Sequence, residues 1–252
     1  MHTYPTLERL RSIRLHGMAD AYAEQIDHKD TRSMTFDERL GLLVDREASE
    51  RESRRLTNRL RRAKLKQSAS IEDIDYAAVR GLDKAVVRAL ARCHYVREHQ
   101  NVLLVGPTGT GKTYLACALA HKACLEGFTA RYHRLSSLLA EMEIAKADGR
   151  YRKLIHELAK TDVLVLDDWG LAPVDDNVRP ILLEILDDRH GHRSTIVTSQ
   201  LPIEHWHTAV GEATIADAIL DRLVHNGHRV ELKGESMRKK HSSLKHAKPN
   251  DN

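Results

Sequence analysis

The sequence predicts an α/β fold, in which a parallel sheet of five strands carries helices on both faces. Two observations support this prediction. From residue 101 onward, short apolar or β-branched runs alternate with helical patterns, as expected of repeated strand-helix-strand units. The first run is followed by Gly106–Thr113, which matches the pattern G-x-x-x-x-G-K-[ST] without a mismatch. A strand before this motif and a helix after it form the context that a phosphate-binding loop requires.

The first 66 residues contain almost no Gly or Pro and predict a small all-helical domain. A first helix is expected from Leu7 to Met18, with a weak end at Gly17. Thr35 and Glu38 have the spacing of a capping box, so a helix is expected to begin there. Residues 46–66 predict one long charged helix.

Between residues 51 and 66, eight basic residues are opposed only by Glu52. Five of them recur at three- and four-residue spacing and therefore share one helix face. A solvated charged helix is one interpretation. Contact with DNA is favoured, because a polyanion relieves the repulsion and releases counterions. The five are Arg51, Arg54, Arg55, Arg59 and Arg62.

Charge is distributed unevenly along the chain. Residues 1–70 and 228–252 each carry +4, whereas residues 71–227 carry −4. Basic ends around an acidic middle are an electrostatic pattern typical of nucleic-acid-binding proteins.

Residues 67–82 are the predicted linker, residues 83–238 the predicted core, and residues 239–252 a basic, flexible tail. Within the core, strands and helices alternate. The expected strands are 101–105, 128–133, 162–167, 194–198 and 228–232, and the expected helices are 83–96, 114–126, 135–149, 150–158, 177–190 and 213–224.

The phosphate-binding loop predicts ATP and Mg²⁺ as cofactors. Its glycines allow a tight turn that aims backbone N–H groups at phosphate oxygens. Lys112 would reach the β- and γ-phosphates, and the Thr113 hydroxyl would ligate Mg²⁺. The predicted nucleotide-binding residues are Gly106, Pro107, Thr108, Gly109, Thr110, Gly111, Lys112, Thr113 and Tyr114.

Two carboxylates follow the third apolar run and supply the other half of the site. Strand ends in such sheets project side chains into the ligand crevice. Asp167 is therefore expected to hold the metal, and Asp168 to polarise the attacking water. An Asp-Asp pair alone often only caps a loop, but here it follows an apolar strand in a chain with a phosphate-binding loop.

Composition excludes some classes of protein. No stretch approaches the roughly 20 apolar residues that cross a membrane. The N-terminus shows no secretory signal, and Cys93, Cys117 and Cys124 are expected to be buried thiols. These features favour a cytoplasmic protein without a membrane partner.

Several segments together resemble AAA+ ATPases, and more closely the branch of DnaC-type helicase loaders and IstB-like helper ATPases of insertion sequences. Asp-Asp-Trp-Gly-Leu, Thr-Ser-Gln-Leu-Pro and Gly-Glu-Ser-Met-Arg are most similar to the IstB side. The resemblance covers nearly the whole chain and implies a bacterial AAA+ ATPase. The segments are Gly106–Thr113, Val163–Gly170, Thr198–Pro202, Asp221–Leu223 and Gly234–Arg238.

The resemblance implies roles for further residues. Gln200 falls at the place of the polar sensor that contacts the γ-phosphate or the attacking water. Arg222 matches the arginine finger that reaches the ATP of a neighbouring subunit; without the resemblance, a surface ion pair with Asp217 or Asp221 is the simpler interpretation. Arg238 matches the second sensor arginine. The helices between residues 135 and 158 match an element that faces DNA, which makes Arg150, Arg152 and Lys153 candidate contacts.

Two departures from the AAA+ pattern bear on activity. Asp168 stands where most members have Glu, and its shorter side chain predicts slow, assembly-coupled hydrolysis. Only about 20 residues follow the last expected strand, so little or no C-terminal lid is expected.

These features favour an ATPase that oligomerises on duplex DNA when ATP is bound and recruits or stimulates a transposase. A DnaC-like replicative helicase loader is the alternative. A metabolic P-loop kinase is disfavoured by the Arg-rich helix and by the candidate finger Arg222.

Overall fold

A computed structural model describes residues 4–28, 31, 33–77 and 80–237. Contacts within the chain group it into a first unit of residues 1–59 and a second unit of residues 60–252. The division lies close to the domain boundary predicted at residue 66. Arg238 and the predicted tail 239–252 lie outside the described residues.

The first unit contains α1 (Pro5–Ser12), α2 (His16–Asp27) and most of α3 (Phe36–Ala63). The single helix expected from Leu7 to Met18 is wrong, because the chain breaks at Arg14, where φ is +63°. Gly17 lies inside α2. A side-chain carbon there would come within 2.7 Å of the Glu47 Cα, so glycine lets α2 approach α3 closely.

The capping box at the start of α3 is confirmed. The Thr35 N–H donates to Glu38 Oε2 at 2.7 Å, and the Glu38 N–H donates to Thr35 Oγ1 at 3.3 Å. The helix then runs without interruption to Ala63, three residues short of the expected end. Lys64 ends it with a φ of +48°.

The second unit holds a five-stranded parallel sheet, as predicted. Its strand order is β2-β3-β4-β1-β5, and every neighbouring pair is parallel. The strands are β1 (Asn101–Val105), β2 (Ala130–Arg134), β3 (Val163–Trp169), β4 (Ser194–Ser199) and β5 (Gly227–Glu231).

The helices of the second unit follow the expected alternation with two exceptions. The run expected over residues 83–96 is two helices, because Cys93 takes a φ of +56°. A short helix and a preceding 3-10 turn (Ile203–His205) were also not expected. The helices are α4 (Lys84–Ala91), α5 (His94–Arg97), α6 (Lys112–Leu125), α7 (Leu135–Asp148), α8 (Tyr151–Lys160), α9 (Arg179–Arg189), α10 (Trp206–Val210) and α11 (Ala213–Val224).

The strand order places helices on both faces of the sheet. The chain moves in one direction across the sheet from β1 to β2, and in the opposite direction from β2 onward. Right-handed crossovers therefore put α6 on one face and α7, α8, α9 and α11 on the other. The latter group packs together along the sheet, whereas α6 contacts α4.

The core lies between the sheet and these helices. All residues of β1 and β4 are buried, and Trp169 stacks against Trp206 with ring centroids 5.1 Å apart. The three cysteines are buried free thiols, as predicted. None of the described helices is both long and apolar enough to cross a bilayer.

Candidate nucleotide-binding site

The loop Gly106–Thr113 joins the end of β1 to the start of α6. Gly106 has a φ of +149°, and a side-chain carbon there would lie 2.1 Å from the Leu232 carbonyl oxygen. Gly111 has a φ of +97° and packs directly against the Arg80 guanidinium. Only glycine fits these two positions, so the loop can turn tightly and present its N–H groups at the helix N-terminus.

Lys112 is the first residue of α6 and is only 8% exposed. Its ammonium group donates to the carbonyl oxygens of Gly106 and Pro107 at 2.6 and 2.8 Å. These bonds hold a buried positive charge beneath the loop, where a polyphosphate would supply the opposite charge.

Asp167 is fully buried at the carboxyl end of β3. Its Oδ1 accepts hydrogen bonds from Thr113 Oγ1 at 2.8 Å and Thr198 Oγ1 at 2.5 Å. Its Oδ2 accepts from Tyr132 at 2.6 Å and pairs with Lys66 Nζ at 3.3 Å. Burial alone would raise the pKa of Asp167, but the three hydroxyl donors and the lysine charge outweigh it and lower the pKa.

Asp168 leaves the regular path of β3. Its φ is +65°, and the pairing with β4 shifts register between Leu166 and Trp169. This bulge turns Asp168 toward the crevice, a use that bulges beside active sites commonly have. The backbone N–H of Asp168 donates to Thr198 Oγ1 at 3.2 Å, and its carboxylate pairs with Arg134 Nε at 2.7 Å.

A cavity of about 460 Å³ lies over the loop and brings most of the predicted site together. Gln200 reaches it from the end of β4, where its Oε1 accepts a hydrogen bond from Thr108 Oγ1 at 2.5 Å. The predicted residues that line the cavity are Thr108, Gly109, Gly111, Lys112, Thr113, Tyr114, Asp168 and Gln200.

Arg80 also lines this cavity, and its charged side chain is almost fully buried. It is 5% exposed, and its guanidinium donates to the carbonyl oxygens of Thr110 and Asp75 at 3.1 and 2.9 Å. Its Nε is buried without a hydrogen-bond partner in the described residues. The described residues also contain no carboxylate within 4 Å of this charge, so a bound anion would stabilise it.

The segment after β5 closes over the loop. The Met237 N–H donates to the Gly109 carbonyl at 2.8 Å, and Ser236 packs on Gly109. Arg238, the residue after Met237, lies outside the described residues, so its sensor role stays a prediction.

Arg222 lies near the amino end of β1, whereas the loop follows the carboxyl end of that strand. Its carbonyl oxygen accepts from Asn101 Nδ2 at 2.9 Å, and Asn101 begins β1. Five strand residues span about 16 Å, so Arg222 lies well away from the loop of its own chain. Its Nε pairs with Asp187 Oδ1 at 2.6 Å. The surface ion pair of the simpler expectation is therefore present, but its partner is Asp187 and not Asp217 or Asp221, which contact His207 and His225.

The Arg-rich face of α3 is more neutralised than the sequence predicts. Glu47 and Glu50, which lie in the helical turn that precedes residue 51, also form ion pairs with these arginines, so Glu52 is not the only acid on this face. Four of the five arginines are ion-paired. The pairs are Arg51–Glu47, Arg54–Glu50, Arg55–Glu52 and Arg59–Glu52, with N–O distances of 2.7, 2.8, 3.9 and 2.6 Å.

The other candidate DNA contacts lie elsewhere on the surface. Arg62 is exposed at the end of α3. Arg152 and Lys153 are exposed on α8, whereas Arg150 just before that helix pairs with Asp148 at 2.6 Å. Exposed basic side chains are the form in which phosphate contacts are made.

The donor set at Asp167 suits Mg²⁺, which prefers hard oxygen ligands and retains waters. The Thr113 hydroxyl and the Asp167 carboxylate meet beside the loop. The described residues bring no three His, Cys, Asp or Glu side chains together as a metal cluster. A magnesium ion here would take its remaining ligands from phosphate and water.

Five residues of the site carry no role in the sequence-based prediction. Arg134 ends β2 and Thr198 is the next-to-last residue of β4, so the rule that strand ends face the crevice could have found them. Tyr132 lies in the middle of β2, where that rule does not apply. Lys66 and Arg80 come from irregular chain that gives no such signal.

Comparisons with known proteins find relatives along nearly the whole chain. The family described as IstB-like ATP binding protein matches residues 8–245. An insertion-sequence ATP-binding protein (y4pL) of Sinorhizobium fredii is 48% identical over 95% of this chain and 98% of its own length. The corresponding protein of insertion sequence IS1162 from Pseudomonas fluorescens is 50% identical over 80% of this chain and 88% of its own.

Two solved structures share the fold. The DnaC helicase loader superposes on 66% of this chain and 97% of its own, with a TM-score of 0.57 and 20% identity. DnaA from Aquifex aeolicus, solved with AMPPCP, covers 70% of this chain and 54% of its own, with a TM-score of 0.57 and 18% identity. The α/β fold that the sequence predicts, a five-stranded parallel sheet with helices, is therefore confirmed.

Proposed function

Because the chain belongs to the family of IstB-like ATP-binding proteins, we propose that it is an ATP-dependent helper of DNA transposition. In this proposal, ATP-bound subunits assemble on duplex target DNA and recruit or stimulate a transposase. The names of its relatives, which place them in insertion sequences, support this role. The protein would act in the bacterial cytoplasm.

The nucleotide chemistry follows from the residues around the cavity. Lys112 and the loop N–H groups would bind the phosphates, with Thr113 and Asp167 holding Mg²⁺. The metal would neutralise charge on the β- and γ-phosphates. Asp168 would accept a proton from the attacking water, and Gln200 would orient that water or the γ-phosphate. ATP hydrolysis would release the assembly.

The position of Arg222 carries the assembly proposal. A P-loop site needs a positive charge against the developing charge on the γ-phosphate, and a trans-acting arginine can supply it. Arg222 lies near the amino end of β1, away from its own loop. Its side chain is about one-quarter exposed and is held by an ion pair with Asp187. Arg222 would therefore complete the nucleotide site of a neighbouring subunit.

DNA contact would use exposed basic groups of α8 and the basic face of α3. Arg152 and Lys153 have exposed side chains, which favours them over Arg150. The arginine charge on α3 is partly offset by glutamates, so these ion pairs would have to open in part before the arginines contact phosphates. Binding would weaken steeply as salt rises.

Gel filtration with duplex DNA tests the assembly. Wild type should form a large complex with ATP and not with ADP, whereas Arg222→Ala should bind ATP normally and fail to assemble. Arg229→Ala removes an exposed arginine from β5 and is the matched control. Normal assembly of Arg222→Ala would refute the trans-acting role.

Competition between duplex and single-stranded DNA separates the proposal from its alternative. A transposition helper should prefer the duplex, and Arg152→Ala with Lys153→Ala should lower affinity and the salt dependence. Lys160→Ala, at the end of the same helix, is the control. Preference for single strands and binding to a replicative helicase would favour the helicase loader. Phosphate transfer to a metabolite without DNA would favour a kinase.

A further inference from the structure

Lys66 makes a contact with Asp167 that links two distant parts of the sequence. Its Nζ lies 3.3 Å from Asp167 Oδ2, across 101 residues of chain. This is the single salt bridge that Asp167 makes in the part of the chain that the structure describes. Lys66 follows α3 by three residues, and its neighbour Gln67 lines the nucleotide cavity.

The acceptor positions of Asp167 are filled. A carboxylate offers about four lone-pair sites, and four groups occupy them here: the hydroxyls of Thr113, Thr198 and Tyr132, and the ammonium of Lys66. Three of these donors are neutral and lie within 2.8 Å. Lys66 is the longest contact and the only charged one, and its side chain is 41% exposed.

The buried carboxylate needs a counter-charge when no metal is bound. A charge with no partner in a dry environment is strongly destabilising. The hydroxyl donors orient Asp167 but supply no net charge. Lys66 therefore performs the electrostatic part of what a divalent cation would do at the same carboxylate.

We propose that Lys66 is a positioning residue that neutralises Asp167 in the metal-free protein and leaves it when Mg²⁺ binds. The inference rests on the proposed Mg²⁺ site. The Thr113 hydroxyl can keep donating to Asp167 while its oxygen faces the metal. Lys66 cannot stay, because a water of the metal shell needs its acceptor position and the ion repels its charge.

Exchange of the two cations gives the Lys66 side chain two positions. The backbone there stays in place, because the backbones of Lys66 and Gln67 hydrogen-bond to the buried Cys117 thiol and Leu65 packs beside it. Nucleotide with Mg²⁺ would thereby be distinguished from nucleotide alone by the position of this one side chain. Free Mg²⁺ would have to compete with an attached ammonium group.

Titration of Mg²⁺ at fixed fluorescent ATP analogue tests this competition. In wild type, Mg²⁺ should tighten nucleotide binding. Lys66→Met should reach half of that effect at a Mg²⁺ concentration about 2- to 5-fold lower, the range expected when a partly exposed ion pair is removed. Lys66→Arg should behave like wild type. Lys64→Met removes an exposed lysine two residues earlier and should change nothing.

Acylation of lysines followed by mass spectrometry gives a readout that does not depend on activity. Lys66 should react faster with Mg²⁺ and a non-hydrolysable ATP analogue than with the analogue and EDTA, while Lys64 should be unchanged. An equal Mg²⁺ requirement in Lys66→Met and wild type, or no change in Lys66 reactivity, would overturn the inference alone. No effect of Mg²⁺ on wild-type nucleotide binding would overturn the proposed metal site with it.

Discussion

Arg134 holds the carboxylate of Asp168 through an ion pair of 2.7 Å between Nε and Oδ2. The two residues end neighbouring parallel strands, since Arg134 closes β2 and Asp168 lies in the bulge of β3. Asp168 also lines the nucleotide cavity, whereas Arg134 lies outside it. The candidate base is therefore restrained from the side away from the nucleotide.

Arg134→Gln should raise the basal rate of ATP hydrolysis several-fold. The substitution frees one carboxylate oxygen of Asp168 to accept a proton from water, and a well-placed general base contributes 10²- to 10⁴-fold to such reactions. A phosphate-release assay without DNA measures the effect. Arg131 lies on the same strand as Arg134 and forms a comparable ion pair with Glu157 of α8. Arg131→Gln breaks that pair and should leave the rate unchanged. A lower rate in Arg134→Gln would mean that Arg134 places Asp168 for catalysis.

Arg80→Met should weaken binding of both ATP and ADP about tenfold or more. The buried guanidinium contacts the loop at the Thr110 carbonyl and has no carboxylate partner in the described residues, so bound phosphate would supply its counter-charge. Methionine keeps much of the volume and removes the charge. Equilibrium binding of fluorescent ADP at two salt concentrations measures the loss. Arg88→Met on α4 is the exposed control. Unchanged affinity with a lower melting temperature would assign Arg80 a purely structural role.

The fold follows from the sequence because its signals are local. The capping box at Thr35 and the loop motif each specify a turn of chain through adjacent residues. Breaks such as Arg14 and Cys93 escape prediction, because non-glycine residues with positive φ are fixed by tertiary packing rather than by propensity. The extension of β3 to Trp169 escapes for the same reason, since its bulge depends on pairing with β4.

The site was predictable where chemistry repeats a motif. Lys112, Thr113 and Gln200 meet as expected around one cavity. Lys66 and Arg80 were not predictable, because an isolated basic residue in irregular chain has no periodicity to assign its direction. Only the packed structure shows that one faces Asp167 and the other the Thr110 carbonyl.

Arg189→Met should destabilise the second unit by about 3–5 kcal/mol. Arg189 is 1% exposed, and burial lowers its pKa to about 9. Its guanidinium donates to the carbonyl oxygens of Leu158, Thr161 and Ser194, which come from the ends of α8 and β4. Methionine removes a donor from each of these buried acceptors, although the Leu158 carbonyl retains its hydrogen bond from the Thr161 N–H. Thermal unfolding should show a melting temperature about 10 °C lower, whereas Arg193→Met, with a more exposed side chain, should change it little.

His133 should make the protein less stable as the pH falls from 7 toward 4.5. Burial is the main cause that lowers the pKa of His133 to about 4, and the charges of Arg131 and Lys64 add to it. The unfolded chain, with an ordinary histidine pKa near 6.5, binds more protons between these two values. The free energy of unfolding therefore decreases as the pH is lowered across this window, by an amount on the order of 2 kcal/mol at pH 4.5.

Substitution isolates the contribution of this one ring from the other groups that titrate in acid. His133→Phe keeps a planar side chain on β2 and removes the titration, so its free energy of unfolding should depend less steeply on pH between about 6.5 and 4.5. Its Nε2 is buried without a partner in the described residues, so the loss of a hydrogen bond should not mask the effect. His192→Phe, at an exposed position, is the control. Denaturant titrations at four pH values compare the slopes, and parallel curves for His133→Phe and wild type would show that His133 is not held neutral by the fold.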